Sequence, residues 1–209
     1  ADFYGIERSK TMYQSAINRL RFSRSKKRLR LLEDKKNLPY SNSFFDKIYL
    51  ESVLGIQEDN DLKQLLKEIK RVLKPNGTLI FNETIWLDHI NLTTARQIND
   101  YCKNTYGIIQ ANETYLHVSD WLDLLNTMRF QSIKIIKVDQ AIADYSLKNH
   151  TSPPMLLSVL YNKIGKLNIL LSPQLRKQRR FYQRETTEFT SQYSNSMEGV
   201  FFIVKNTKS

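Results

Sequence analysis

The chain has 209 residues, 32 of them Lys or Arg against 21 Asp or Glu, which gives a formal net charge of +11 and a pI of about 9.6. Hydrophobic residues make up 41% and aromatic residues 11%. That composition excludes wholesale disorder and supplies one core, at a size where folding hides roughly 70% of the unfolded surface. No apolar run approaches the ~20 residues that cross a bilayer, and the N-terminus lacks the basic, apolar and small-residue succession of a signal peptide, so the expectation is a cytoplasmic protein. A single cysteine, Cys102, excludes an internal disulfide framework and a multi-Cys zinc site.

Asp2 to Glu7 is a short apolar run ending in an acid, and Ser9 precedes a helical pattern through Met12, Ala16, Ile17 and Leu20: strand, turn, helix. A basic stretch, Arg19 to Lys36, offers Leu29 to Leu32 as a second strand before Glu33 and Asp34. Leu38-Pro39-Tyr40-Ser41-Asn42-Ser43 reads as a turn, Phe44 to Leu50 as a third strand ending at Glu51-Ser52, and Asp61 as the cap of the next helix. That helix is the clearest element, with Leu62, Leu65, Leu66, Ile69, Val72 and Leu73 at three- and four-residue spacing. Pro75-Asn76-Gly77 stops it, Thr78 to Phe81 is a strand, and Asn82-Glu83-Thr84-Ile85-Trp86 is expected at that strand's carboxyl end. Helices follow near 93–104 and 118–128, the second capped by Ser119, then a strand from Ser132 to Val138. Residues 142–195 read as a helical insertion, a lid, before a last strand at Val200 to Val204. Strands separated by helices predict an α/β sheet in one domain, residues 1–209. The six glycines, at 5, 55, 77, 107, 165 and 199, are too scattered to form a phosphate-cradling loop.

Two motifs carry a resemblance to a known family: Leu38-Pro39-Tyr40 leading into Phe44-Phe45-Asp46-Lys47-Ile48-Tyr49, and Leu65 to Leu79 with its Leu-Lys-Pro-Asn-Gly turn. Residues 3 to 138 and the last strand resemble the class I S-adenosylmethionine-dependent methyltransferases of the small-molecule, type 11-like kind. The resemblance implies a Rossmann-like methyltransferase sheet flanked by helices, with the lid inserted before the last strand. It implies S-adenosyl-L-methionine as cofactor and methyl transfer to an N, O or C atom of a small or medium-sized molecule, a biosynthetic intermediate. Carried over by position, Glu7 accepts hydrogen bonds from the ribose hydroxyls, and Arg8 and Met12 flank the adenine. Asp34 receives the adenine amino group beside the backbone of Lys35, and Glu51 and Ser52 border the methionine portion. An acceptor-only carboxylate at a strand's carboxyl end suits a vicinal diol in any case. The family's first strand and glycine-rich turn have no counterpart here. In the family's strand order that strand lies between the strands ending at Glu7 and near Glu51, so the expectation is a chain lacking roughly 40 to 80 N-terminal residues of a βα unit, since without them the sheet would have a gap in its middle with unpaired backbone groups.

Asn82, Glu83 and Trp86 are the expected substrate contacts, because open α/β sheets place ligands outside the carboxyl ends of their strands. Glu83 orients an amine or accepts a proton, or else caps a turn. Trp86 forms an apolar or cation-binding wall, or else packs under the lid. His117 is the second candidate base, and Tyr40, Tyr49, Tyr115 and Tyr145 are candidate pocket residues, with Tyr145 assigned to substrate. His89, His117 and His150 share no metal-like spacing, so no metal site is expected. Residues 163–184 carry seven cations and no acid. They read either as a solvated helix face or as a docking surface for an acidic partner such as a carrier protein. Alternative readings are a basic RNA-binding or RNA-modifying protein on the same fold, which the apolar lid disfavours, and a non-catalytic methyltransferase-like scaffold.

Overall fold

The computed structural model describes residues 2–20, 28–32, 37–138 and 172–207. Gly5–Glu7 form β1 and Lys10–Arg19 form α1, with Ser9 at the N-cap, where its hydroxyl accepts the Met12 amide at 3.3 Å. Leu29–Leu31 (β2) lie parallel to β1. Then come β3 (Phe45–Glu51), α2 (Asp59–Val72), β4 (Leu73–Trp86), α3 (Leu92–Tyr106), α4 (Val118–Thr127), β5 (Phe130–Lys137), α5 (Pro173–Tyr193) and β6 (Met197–Asn206). The order is the α/β alternation that the residue pattern predicts.

Three boundaries differ from expectation. Helix α2 starts before Asp61: Glu58 is its N-cap, and Asp59 and Asp61 lie in the first turn, where acids suit the positive end of the helix dipole. Helix α4 is capped by His117 rather than Ser119. Strand β4 is far longer than Thr78 to Phe81, because β6 pairs with it antiparallel from Thr78↔Lys205 to Trp86↔Met197. Its Lys74-Pro75-Asn76-Gly77 segment is irregular against β3, with Asn76 in the left-handed region at φ 58°. Gly77 is required there, since a Cβ would lie 2.9 Å from the Lys74 carbonyl and 3.2 Å from that of Asp46. Asn82 to Trp86 are therefore inside a strand, so Asn82 and Glu83 point to opposite faces.

The main sheet runs β3-β4-β6-β5, parallel at β3/β4 and antiparallel elsewhere. Its core joins Leu62, Leu66 and Ile69 of α2 to Leu79, Phe81 and Ile85 of β4, Trp121 and Leu124 of α4, and Phe202 and Val204 of β6. Phe81 and Phe202 face each other across the strands with ring centroids 4.7 Å apart and planes within 8°. A second cluster packs Trp86 and Ile90 against Ile98 and Cys102 of α3. Helix α5 adds to it by stacking Phe189 on Tyr101, and the Tyr101 hydroxyl donates to Glu185 at 3.1 Å. The other part of the expected lid, 142–171, lies outside the described residues, as do Tyr145, Asp34 and Lys35. Among the described residues no helix is long and apolar enough to cross a membrane.

β1 and β2 form a separate two-stranded sheet, so the gap falls between β1 and β3, where the strand-order argument places it. Among the described residues, contacts span it at both ends. At the strands' amino ends Tyr4 meets Phe44 and Phe45 edge-on at 5.3 and 5.7 Å, with Tyr40 against both phenylalanines. At the carboxyl ends the Arg8 guanidinium donates to Gln57 Oε1 at 3.1 Å.

The segment from Leu38 to Ser43 owes its shape to one ion pair. Arg71 of α2 grips both oxygens of Glu68 at 2.9 and 2.8 Å and also donates to the carbonyls of Leu38 and Tyr40, while Glu68 Oε2 accepts the Leu38 amide. Glu68 is buried, so its charge depends on that partner. Arg71→Ala takes the guanidinium away from the buried carboxylate and from the Leu38 and Tyr40 carbonyls, and we expect a loss of about 2–4 kcal/mol of stability. Urea unfolding measures it, and a change within experimental error would contradict the role given to the pair.

Candidate functional site

A cavity of about 990 Å³ lies between β1 and β3. Four consecutive residues of β3, Lys47 to Leu50, line it, as do Ile6 and Glu7 of β1. Neighbouring side chains of a strand point to opposite faces, so consecutive lining residues mean that each strand presents its edge to the cavity. The lower part is apolar and aromatic, with Tyr4, Tyr40 and Phe45. The rim at the strands' carboxyl ends is polar, with Glu7, Arg8, Ser9, Gln57 and Asp61.

Glu7 sits where β1 turns into α1. Its Oε1 accepts the amides of Arg8 at 2.8 Å and Ser9 at 2.9 Å, which fixes the carboxylate at the strand end. Its Oε2 makes no hydrogen bond among the described residues, which leaves an acceptor on a group that lines the cavity. Arg8 lines the cavity and reaches Gln57; Met12 is 58% exposed and does not line it. Glu51 and Ser52 end β3 just before the lining residue Val53 and are not themselves in the lining. Ser52 takes the left-handed φ of 52°, and its amide donates to the Asn82 carbonyl at 2.9 Å, which turns the chain sharply off the strand. Of the candidate tyrosines, Tyr40 and Tyr49 line the cavity, whereas the Tyr115 hydroxyl donates to Asp59 at 2.6 Å.

The structure puts the expected substrate and base residues of β4 and the α4 N-cap away from the cavity. Glu83 is 2% exposed and does not line the cavity: its Oε1 accepts the amides of Val53 at 2.9 Å and Leu54 at 2.8 Å, and the Gly55 amide also bonds to the carboxylate. Burial pushes its pKa above the ordinary glutamate value, partly offset by those three amides. Trp86 is 1% exposed in the α3 cluster, and its indole N–H donates to the Asn112 carbonyl at 2.8 Å. His117 caps α4, with its own amide held by Asp120 at 2.9 Å and Nδ1 3.3 Å from the Trp86 carbonyl. His117 does not line the cavity, and Asn82 is half-buried and outside the lining.

Sequence reasoning missed the loop after β3. Val53, Ile56 and Gln57 line the cavity, and Gln57 is held from three sides. Its amide side chain donates to the Val53 carbonyl at 2.8 Å, its Oε1 accepts from Arg8, and its carbonyl accepts from buried Asn112 at 3.1 Å. Nothing in the local pattern marks these positions, because their partners lie 49 and 55 residues away. Asp61, expected as a helix cap, is a rim residue instead.

Between the ordinary glutamate pKa and Glu83's raised one, the folded state binds more protons than the unfolded state, so this group makes stability fall as pH climbs through that window. Glu83→Gln removes the titration, and its unfolding free energy is expected to vary less with pH there than that of the wild type. Urea titrations across the acidic range compare the two, and equal slopes would show that Glu83 keeps an ordinary pKa.

Residues 1–81 match the family model described as a methyltransferase domain. No curated protein matches the chain significantly. Among solved structures, phosphoethanolamine N-methyltransferase 2 of Haemonchus contortus bound to S-adenosyl-L-methionine aligns over 99% of this chain and 44% of its own, at 14% identity and a TM-score of 0.63. The [4+2]-cyclase SpnF aligns over 99% and 67%, at 14% identity and a TM-score of 0.58. Geranyl diphosphate C-methyltransferase of Streptomyces coelicolor A3(2), with Mg2+, geranyl diphosphate and S-adenosyl-L-homocysteine, aligns over 99% and 63%, at 14% identity and a TM-score of 0.57. The chain thus spans between 44% and 67% of the length of these three proteins.

Proposed function

We propose that the chain, whose residues 1–81 match a methyltransferase-domain model and whose fold aligns with S-adenosylmethionine-dependent methyltransferases, is an enzyme that moves the cofactor's methyl group to a small or medium-sized acceptor at the rim of the β1/β3 cavity. One observation carries the reading: Glu7, a carboxylate anchored at the carboxyl end of a parallel strand, lines a cavity at the upper end of the ~300–1,000 Å³ usual for ligand sites.

The residues present fit the cofactor. Glu7 keeps an acceptor oxygen for a vicinal diol, and Arg8 and the Val53 to Gln57 loop stand on either side of the opening. When bound, the cofactor supplies a methyl group on a sulfonium, which is electrophilic without help from an acid or a metal. The work left to the protein is to hold the acceptor in line and to exclude water. Tyr49, Leu50 and Ile56 offer an apolar wall for this. Glu83 and His117, away from the lining, have no part in proton removal in this arrangement; Asp61 is the rim carboxylate placed to take a proton from an acceptor. The acceptor reading of a small or medium-sized, largely apolar molecule rests on that lining.

Glu7→Gln preserves shape but replaces one oxygen by a donor, and Glu7→Ala removes both. We expect S-adenosylhomocysteine binding, measured by calorimetry, to weaken by about 2 kcal/mol, or roughly 30-fold, in the alanine variant. Unchanged affinity would remove Glu7 from the site.

A further inference from the structure

We infer that Glu83 is a positioning residue, whose buried carboxylate holds the Val53–Gly55 backbone against β4 and thereby sets the rim on which cofactor binding depends. The inference rests on the cofactor reading above for its functional half and on geometry alone for its structural half.

Glu83 is fixed by a strand paired on both sides: β3 on one edge of β4, β6 on the other. The segment it holds has no regular structure of its own. The chain leaves β3 at Ser52 with a left-handed φ and enters α2 only at Asp59. Between them, the amides of Val53 and Leu54 point to one carboxylate oxygen at 2.9 and 2.8 Å. The other oxygen lies 2.7 Å from where a Cβ on Gly55 would be, so a side chain at residue 55 would require the carboxylate to shift. The two residues are shaped for each other. Val53, Ile56 and Gln57, the lining residues of the loop, are thus carried by a clamp whose active atoms never reach the cavity.

A carboxylate withdrawn from water is costly unless hydrogen-bonded, and a buried amide is costly without an acceptor, so Glu83 and the amides of Val53 and Leu54 satisfy one another only while the loop stays on β4. Loop displacement on removal of the clamp also carries away Gln57, the acceptor for Arg8 at the rim.

The test uses the full chain and four variants: Glu83→Gln, Glu83→Asp, Gly55→Ala and the double variant Glu83→Asp with Gly55→Ala. Amide hydrogen exchange reads the clamp directly. In Glu83→Gln the amides of 53–55 are expected to exchange faster while those of Phe202 and Val204 keep their protection, and unchanged exchange at 53–55 would overturn the inference. Gly55→Ala is expected to speed the same amides, and less so when Glu83→Asp withdraws the carboxylate; strict additivity of the two changes would overturn the pairing. Calorimetry with S-adenosylhomocysteine reads the functional half. Roughly tenfold weaker binding by Glu83→Gln supports it. Equal affinity in a variant with exposed loop amides overturns it. Lack of any binding by the wild-type protein overturns the methyltransferase reading instead, and the exchange result then still decides the clamp.

Discussion

The pairing of β4 with β6 is the contact on which the rest of the molecule is built. It runs antiparallel over Met197 to Lys205 of the closing strand and sets Phe81 on Phe202 in a stacked pair under Trp121. Because the side-chain period is two, a slip of one residue would turn Phe81 and Ile85 out of the core and bring Asn82 and Thr84 in. The same register decides that Glu83 faces inward and meets the loop after β3. A hydrophobic constraint in the sheet thus becomes a polar constraint at the rim.

From that centre, buried polar groups extend the order outward. Trp86 holds the Asn112 carbonyl, the Asn112 side chain holds the Gln57 carbonyl, and Gln57 meets Arg8 across the gap between the two sheets. Glu68 and Arg71 perform the same service for the segment before β3. Such groups are costly to bury unless satisfied, and each of these finds a partner on a loop rather than on another core element. The loops next to the cavity are therefore held by the core, while the cavity wall itself consists of strand edges with aliphatic and aromatic side chains below a polar rim.

Fold and chemistry are separate statements for this architecture. The structures it resembles include two methyltransferases and a [4+2]-cyclase at comparable similarity, so the layout of strands alone does not select a reaction. The anchored carboxylate at the end of β1, above an opening large enough for a ligand, is what makes cofactor binding the reading of choice. The cationic residues on α5, from Arg176 to Arg184, stand on an exposed helix whose other side packs on Tyr101 and Tyr106. They take no part in the cavity lining.

Local pattern was sufficient for most of the elements. Period and turn chemistry identify β1, α1, β2, β3 and α2 to within a few residues, because each depends on spacing and on Gly, Pro, Asn or Ser at fixed offsets. The short apolar run ending in an acid also marked Glu7 as a strand-end carboxylate. The roles of Asn82, Glu83, Trp86 and His117 were not legible in the same way. They depend on β4 continuing past Phe81, and that continuation comes from pairing with β6, more than a hundred residues along the chain. A strand's end is set by its partner, and a buried carboxylate's task by the amides brought to it, so both were decided only when the chain closed on itself.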